Sequence, residues 1–327
     1  MVESAGSGLT HGDRKSPRRA TLTPLARRHA LWIFGAAAVA LAGCGDGRRR
    51  SVTAPEIPAG DLAMNVHPLG GSVGALQRQA LRQLGSPWIR VTLGLTAGTD
   101  AARAYTQAAP NVLGVVADTR FDTLDAATWP DRLETVLRRF PEVRRAQLLN
   151  EPDVFNGLSP ARYVREFLRP GFERIRERLP GVEVVAAPPV GDPRRTDRFR
   201  QMTDAGADEV CDFRAVNAYF TDDRALGQIR GATARPILVT ETGSKDPGQH
   251  VRWLTDAVPR IRTALGAEQV YWYVLLESVA LNGGGVPYSY PGSSVIAGTP
   301  GPGGQPRGAA GSGLYALLVG SRAGRVA

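Results

Sequence analysis

Cysteine, histidine and lysine are scarce in this sequence, and their scarcity excludes several classes of protein. The 327 residues include only two cysteines, Cys44 and Cys211, so a disulfide framework is excluded. Of the four histidines, two fall within the first 43 residues. The other two, His67 and His250, cannot build a histidine-rich metal site, so we expect no metal and no other cofactor.

Positive charge is carried almost wholly by arginine, because only two of the 40 basic residues are lysines. The formal net charge is +9, but the arginines are spread along the chain with few aromatic residues between them. No nucleic-acid-binding motif accompanies them. We therefore expect surface charge without a nucleic-acid partner.

The N-terminal segment has the features of an export signal. Several basic residues, ending in Arg27-Arg28, precede an apolar run at 31–42, which is shorter than the roughly 20 residues that span a bilayer. A basic start, a short apolar run and a small-residue exit predict a signal peptide over 1–43. The exit, Leu-Ala-Gly followed by Cys44, resembles the lipobox of bacterial lipoproteins.

This lipobox resemblance implies cleavage before Cys44 and a diacylglycerol group on its sulfur. The mature chain would then be exported from the cytoplasm and anchored to the cell membrane by this lipid. The arginine pair also resembles a twin-arginine signal, so that route and the general secretory route both stay open. A linker at 44–60 would join the anchor to one domain at 61–327, which we expect to be monomeric.

The domain alternates short apolar runs with amphipathic stretches. Eight strands are predicted, at 63–66, 88–93, 112–117, 147–149, 182–187, 213–217, 236–240 and 270–275. Helices are predicted between them at 74–84, at 131–140, from Ser159-Pro160 to 179 and after His250, with a last helix at 313–319. Alternating strands and helices predict a parallel α/β sheet, and eight units in about 265 residues favour a (β/α)₈ TIM barrel over an open sheet.

Two strands end in a glutamate at the edge where such barrels hold their active sites. Strand four runs into Asn150-Glu151-Pro152, and strand seven runs into Thr240-Glu241. Two carboxylates across a cleft are what glycoside hydrolysis requires, one to donate a proton and one to attack the anomeric carbon.

A glycine-, proline- and serine-rich loop at 281–312 follows strand eight and is either functional or a disordered insertion.

At these strand ends the sequence resembles the clan A glycoside hydrolases, the superfamily of cellulases, β-mannanases, xylanases and β-xylosidases. Its members carry Asn-Glu-Pro after strand four and Glu after strand seven. The resemblance implies a retaining hydrolase of β-glycosidic bonds that acts on an oligosaccharide or polysaccharide. Glu151 would be the acid/base and Glu241 the nucleophile.

The same resemblance implies roles for five further residues. Asn150 would bind the sugar 2-hydroxyl, and Arg90 would support the nucleophile electrostatically. Tyr219 would donate a hydrogen bond to the nucleophile, and Trp272 would form the floor of the sugar subsite. His67, after strand one, is a candidate for contact with a sugar hydroxyl.

One position departs from the family pattern. Many members have a histidine two residues before the tyrosine that follows strand six, whereas this chain has Asn217. An amide can still hydrogen-bond a sugar, so Asn217 stays a candidate substrate-binding residue. The aromatic content of 7% is low for a long polysaccharide groove and favours a short oligosaccharide or a terminal sugar.

Two other functions remain open at this point. A carbohydrate-binding barrel without catalytic activity would keep the cleft but lose the geometry of the glutamate pair. A serine esterase is the more distant alternative, because Gly70-Gly71-Ser72-Val73-Gly74 fits G-x-S-x-G and His250 could act as its base. That motif follows the first strand, earlier than the nucleophile turn of serine hydrolases.

Overall fold

The computed structural model describes residues 62–94, 100–117, 124–276 and 292–326. They all belong to one compact unit, Ala54–Ala327. The predicted signal peptide, lipobox and linker lie outside the described residues, so their assignment stays a prediction. No helix within the described ranges combines the length and the apolar character needed to cross a membrane.

Eight parallel strands close into a barrel in chain order, with the last strand paired to the first. The strands are β1 Leu62–Val66, β2 Ile89–Gly94, β3 Val112–Ala117, β4 Val143–Leu148, β5 Glu183–Ala186, β6 Phe213–Asn217, β7 Ile237–Thr242 and β8 Ala267–Trp272. All eight predicted strands are present, and the predicted barrel is confirmed.

Helices and single turns of helix surround this barrel. The α-helices are Gly71–Leu84, Asp100–Thr106, Trp129–Arg139, Pro152–Phe155, Pro160–Tyr163, Arg169–Arg178, Thr196–Asp204, Asp223–Gly231, His250–Arg252, Val258–Leu265 and Leu314–Val326. π-helical turns at Val164–Leu168 and Trp253–Ala257 join neighbouring helices, and 3₁₀ turns occupy Pro193–Arg195, Ala207–Glu209, Pro247–Gln249 and Pro302–Gly304. Ser159 caps the helix that begins at Pro160, because its hydroxyl accepts from the backbone N–H of Arg162 at 3.2 Å.

The apolar core has two layers because both faces of each strand are covered. The larger layer lies between the strands and the helices, and it contains the buried thiol of Cys211. The smaller layer fills the barrel interior and consists of Ala63, Leu113, Val185, Phe213, Ala215, Leu238 and Tyr271. The interior is therefore a packed plug, with the polar residues of the strands above and below it.

Strand β4 begins four residues earlier than predicted, and Arg145 explains the difference. Its guanidinium is buried at the end of the barrel where the strands begin, over the rings of Trp88 and Phe213. It also forms ion pairs with Glu183 at 2.9 Å and with Glu268 at 2.6 Å. An arginine with these partners fits inside a barrel, so the strand extends back beyond the apolar residues to Val143.

The loop after β8 is described only in part. Residues 281–291 of the predicted loop lie outside the described ranges, but the following residues pack on the barrel. Val295 and Ile296 are fully buried, and the backbone N–H of Val295 donates to the carbonyls of Val274 and Leu275 at 3.1 Å. For residues 292–312, the alternative of a disordered insertion is therefore wrong.

Candidate active site

The chain leaves β4 through two residues in the left-handed region of backbone conformation. Leu149 has φ 71° and Glu151 has φ 40°. Non-glycine residues at positive φ cost about 1–3 kcal/mol each and occur often at functional sites. Asn150 lies between them, and a short helix, Pro152–Phe155, follows. This strained turn holds Glu151 at the mouth of the barrel.

Arg90 lies at the centre of a hydrogen-bond network of polar side chains below the mouth of the barrel. Its guanidinium donates to Glu241 Oε1 at 2.8 Å, Asn65 Oδ1 at 2.7 Å, Gln147 Oε1 at 3.0 Å and Asn150 Oδ1 at 2.8 Å. Only 6% of Arg90 and 8% of Glu241 are exposed. Because these partners come from β1, β4, β7 and the turn after β4, one cation connects opposite sides of the barrel interior.

Glu241 receives a second hydrogen bond from Tyr219. The Tyr219 hydroxyl donates to Glu241 Oε2 at 2.8 Å, so each carboxylate oxygen has one strong donor. Burial and the nearby charge of Glu241 raise the pKa of Tyr219 well above its ordinary value. Tyr219 therefore keeps its proton and acts only as a donor to Glu241 at neutral pH.

Glu151 lies in a different environment from Glu241. Burial, together with the negative charges of Glu241 and Asp153, raises its pKa to about 7. Hydrogen bonds from Asn217 and from the backbone of Gly191 oppose this effect. The environments of the two glutamates therefore differ. Glu241 accepts hydrogen bonds from a cation and a hydroxyl, whereas the surroundings of Glu151 favour its protonated form. A nucleophile and a general acid need this kind of difference.

Asn217 takes a position other than the one expected for a sugar-binding residue. It is 1% exposed, its Nδ2 donates to Glu151 Oε1 at 2.8 Å, and its Oδ1 accepts from the Thr240 hydroxyl at 2.9 Å. Both ends of the amide are thus engaged by protein groups. The prediction of direct sugar contact is not supported, because the side chain lies below the carboxyl of Glu151.

The position of Trp272 does not suit its predicted role either. The ring is fully buried on the outer face of β8, with its centroid 5.3 Å from that of His250. A side chain with no exposed surface cannot form the floor of a sugar subsite, so this prediction is wrong. The next residue, Tyr273, follows the end of β8, and its ring contacts His67 and Tyr219 rather than the helix side.

Tyr273 joins the site to His67. Its hydroxyl lies 3.3 Å from His67 Nε2, and its ring makes edge-to-face contacts with His67 and Tyr219. His67 is therefore brought to the mouth of the barrel, as its position after β1 predicted. These three rings form one side of the cleft beside Glu241.

The residues of the esterase alternative are not brought together. His250 is fully buried, and its two ring nitrogens lie 2.8 Å from the Ser312 hydroxyl and 3.0 Å from the Ser244 carbonyl oxygen. Burial lowers the pKa of His250 below its ordinary value. Ser72 lies on the surface in the first turn of Gly71–Leu84. Both nitrogens of the proposed base thus contact residues other than Ser72.

Four residues of the site were missed from the sequence: Asn65, Gln147, Thr240 and Tyr273. Asn65, Gln147 and Thr240 share a signal, because each is a polar residue inside an otherwise apolar strand. In this barrel the three side chains join the hydrogen-bond network around Arg90 and Asn217. Within the described ranges, no group of three or more His, Cys, Asp or Glu side chains could hold a metal ion.

Gly191 fits closely against the strand that carries Asn217. A Cβ atom at position 191 would lie 2.4 Å from the Asn217 carbonyl oxygen, a distance that only a backbone shift can relieve. Gly191→Ala is expected to move the loop after β5, to weaken the backbone hydrogen bond to Glu151 and to destabilise the fold by about 1–3 kcal/mol. Urea unfolding measures the loss of stability.

Gly181→Ala is the matched control, because nothing lies within 4 Å of a Cβ atom at that position. Its free energy of unfolding should stay within about 0.5 kcal/mol of the wild type. Equal stability of the two variants would show that the loop after β5 adjusts without cost.

No protein-family profile matches the sequence, and no curated protein matches it by sequence. Solved structures do match the fold. A family 39 glycoside hydrolase from the gut symbiont Bacteroides cellulosilyticus WH2 superposes with a TM-score of 0.61 at 14% identity, over 80% of this chain and 63% of that one. The chain thus spans less than two thirds of that structure.

Two further structures cover more of their own length. The catalytic domain of GH30 xylanase C from Talaromyces cellulolyticus has a TM-score of 0.52 at 9% identity, over 80% of this chain and 75% of that one. The β-mannanase of Thermomonospora fusca, in its mannotriose complex, has a TM-score of 0.52 at 14% identity, over 72% and 83%. At these identities the similarity shows a shared (β/α)₈ fold.

Proposed function

We propose that this protein is a retaining glycoside hydrolase that cleaves β-glycosidic bonds of an oligosaccharide or polysaccharide. The observation that carries the proposal is the contrast between the two glutamates at the ends of β4 and β7. Glu241 accepts from Arg90 and Tyr219, whereas burial raises the pKa of Glu151 to about 7. The fold shared with glycoside hydrolases supports the same reading.

In the first step, a Glu241 carboxylate oxygen forms a bond to the anomeric carbon while the glycosidic C–O bond breaks. Glu151 donates its proton to the departing oxygen, so the leaving group departs as a neutral alcohol. Arg90 holds Asn150 by its Oδ1, which leaves the amide nitrogen as the end that donates to the sugar 2-hydroxyl.

In the second step, water replaces Glu241 at the anomeric carbon. Glu151, now a carboxylate, takes a proton from this water as its oxygen attacks, and Glu241 leaves as a carboxylate. The charge of Glu241 raises the pKa of Glu151 before the reaction. That charge is absent while Glu241 is esterified to the sugar, so the pKa of Glu151 falls at the step where it must act as a base.

A panel of aryl β-glycosides and short β-linked oligosaccharides tests this function. We expect turnover of at least one substrate, release of the β-anomer first by NMR, and loss of turnover in Glu151→Gln and Glu241→Gln. Variants as active as the wild type would exclude the two-glutamate mechanism. Sugar binding without cleavage by the wild type would instead favour a non-catalytic carbohydrate-binding barrel.

The pKa of Glu151 predicts the alkaline side of the pH profile. Glu151 must be protonated to act as the acid, so kcat/KM is expected to fall as the pH rises through about 7. The measurement is kcat/KM for an alkyl or sugar leaving group between pH 4 and 9. A dinitrophenyl leaving group needs no proton, and its profile should stay flat across pH 7; a fall of the same size would contradict the assignment.

We also propose that the mature chain is exported and anchored to a membrane by lipid on Cys44, as its lipobox-like sequence indicates. Expression in a bacterium with labelled palmitate tests this. Wild type should carry the label in the membrane fraction, and Cys44→Ser should lose both the label and the membrane association. An unlabelled wild-type chain would rule out the anchor.

A further inference from the structure

The amide of Asn217 is held between two strands. Its Nδ2 donates to Glu151 Oε1 at 2.8 Å, and its Oδ1 accepts from Thr240 Oγ1 at 2.9 Å. Thr240 is fully buried, and the Val216 carbonyl, the other acceptor near its hydroxyl, is farther away at 3.4 Å. The hydroxyl proton is therefore directed at Asn217.

This arrangement determines which end of the amide faces Glu151. An amide has a donor end and an acceptor end of nearly the same shape, so only its partners fix its orientation. Thr240 occupies the acceptor end, and the donor end must then point at the carboxyl of Glu151. Without the hydroxyl, rotation by 180° would place an oxygen against Glu151, and only the protonated carboxyl could bond to it.

We infer that Thr240 and Asn217 act together as positioning residues for Glu151: the hydroxyl fixes the amide, and the amide fixes the carboxyl and its affinity for a proton. The inference rests on the proposed function, in which Glu151 is the acid/base. Neither residue touches the reacting atoms in this role. Because an amide does not titrate, this support is the same at every pH at which Glu151 changes its charge.

Other charged and polar groups also face Glu151, and a test must leave them in place. Glu241 approaches from β7, Asp153 from the helix Pro152–Phe155 and Gly191 N–H from the loop after β5. Tyr219, which follows β6, is close enough for the charge of Glu151 to affect its own pKa. Replacing Thr240 removes none of these groups.

The experiment compares three variants that are nearly the same size as the wild type. Thr240→Val removes the hydroxyl, Thr240→Ser keeps it, and Thr242→Val removes a different buried hydroxyl of β7, which bonds to the Ala218 carbonyl. Each full-length protein is labelled with ¹³C at the glutamate carboxyl groups and titrated by NMR. The Glu151 signal is identified by its absence from Glu151→Gln.

Thr240→Val is expected to raise the pKa of Glu151 by about one unit, a tenfold change in proton affinity. Thr240→Ser and Thr242→Val are expected to titrate like the wild type. If Thr240→Val does not fold, as judged by circular dichroism, Thr240→Ala removes the same hydroxyl with less crowding and gives the same comparison.

Two results would overturn the inference. One is an unchanged pKa of Glu151 in Thr240→Val, and the other is an equal shift in Thr242→Val, which would show a general effect of destabilisation. Neither depends on turnover. The proposed function fails separately, if the wild type titrates as described but cleaves no glycoside.

Discussion

Replacement of Glu241 by alanine is expected to reduce kcat/KM by roughly 10⁵-fold for every glycoside that the wild type cleaves. The nucleophile is needed whichever leaving group departs, so an activated dinitrophenyl group should not restore the rate. Steady-state kinetics on an alkyl glycoside and a dinitrophenyl glycoside of the same sugar measures both losses. Expression in a host without glycosidases that act on these substrates keeps the background low.

Glu151→Ala is the matched comparison because it removes a carboxyl of the same type from the other side of the cleft. Loss of a general acid costs about 10²–10⁴-fold when the leaving group needs a proton, and little when it does not. The two variants should therefore differ in their dependence on the leaving group. The reverse pattern would exchange the roles of Glu151 and Glu241.

Replacement of Arg90 by methionine is expected to have the largest effect on stability. It removes a guanidinium that bonds to four side chains and leaves the 8%-exposed carboxyl of Glu241 without its cation. Breaking a buried ion pair in this way costs about 3–5 kcal/mol. Thermal unfolding should show a fall in Tm of roughly 10 °C for a domain of this size.

Two further variants separate the loss of the cation from the loss of packing. Arg90→Met combined with Glu241→Gln should recover part of the stability, because the uncompensated charge is gone. Arg145→Met removes a second arginine of the barrel interior, whose partners Glu183 and Glu268 are about half exposed. This variant should lose less stability and keep its activity below its Tm. If Arg90→Met and Arg145→Met lost the same free energy of unfolding, the Arg90–Glu241 ion pair would make no special contribution to stability.

The fold could be predicted from the sequence because it follows from a repeated pattern. Parallel strands covered on both faces are continuous apolar runs, and eight of them in one domain leave few arrangements. The ends of those runs placed Glu151 and Glu241 at the mouth of the barrel, since the strand direction fixes which end carries the site. Arg90, inside β2, and Tyr219, after β6, were indicated only by the family resemblance. The two carboxylates could be recognised as candidates because they stand where polar residues interrupt the apolar pattern.

Contacts between strands could not be predicted in the same way. Trp272 and Tyr273 differ by one position, and the apolar run does not show that the ring at the end of β8 packs in the core while the next ring faces the cleft. Asn217 was expected to contact a sugar, but the register between β6 and β7 places it beside Thr240 and below Glu151. These side-chain contacts depend on residues that are distant in the chain. The sequence of one strand carries no information about them.

The apolar plug of the barrel, with Leu113, Leu238 and Tyr271 at its centre, has a consequence for the movement of protons. It separates the polar network around Arg90 from the buried guanidinium of Arg145 at the opposite end. The plug side chains carry one polar atom, the Tyr271 hydroxyl, which is buried without a hydrogen-bond partner. A single unpaired hydroxyl forms no chain of hydrogen bonds along which a proton could pass. In the proposed mechanism, the protons that Glu151 gives up or regains are therefore exchanged through the open mouth, which is also where the sugar would bind.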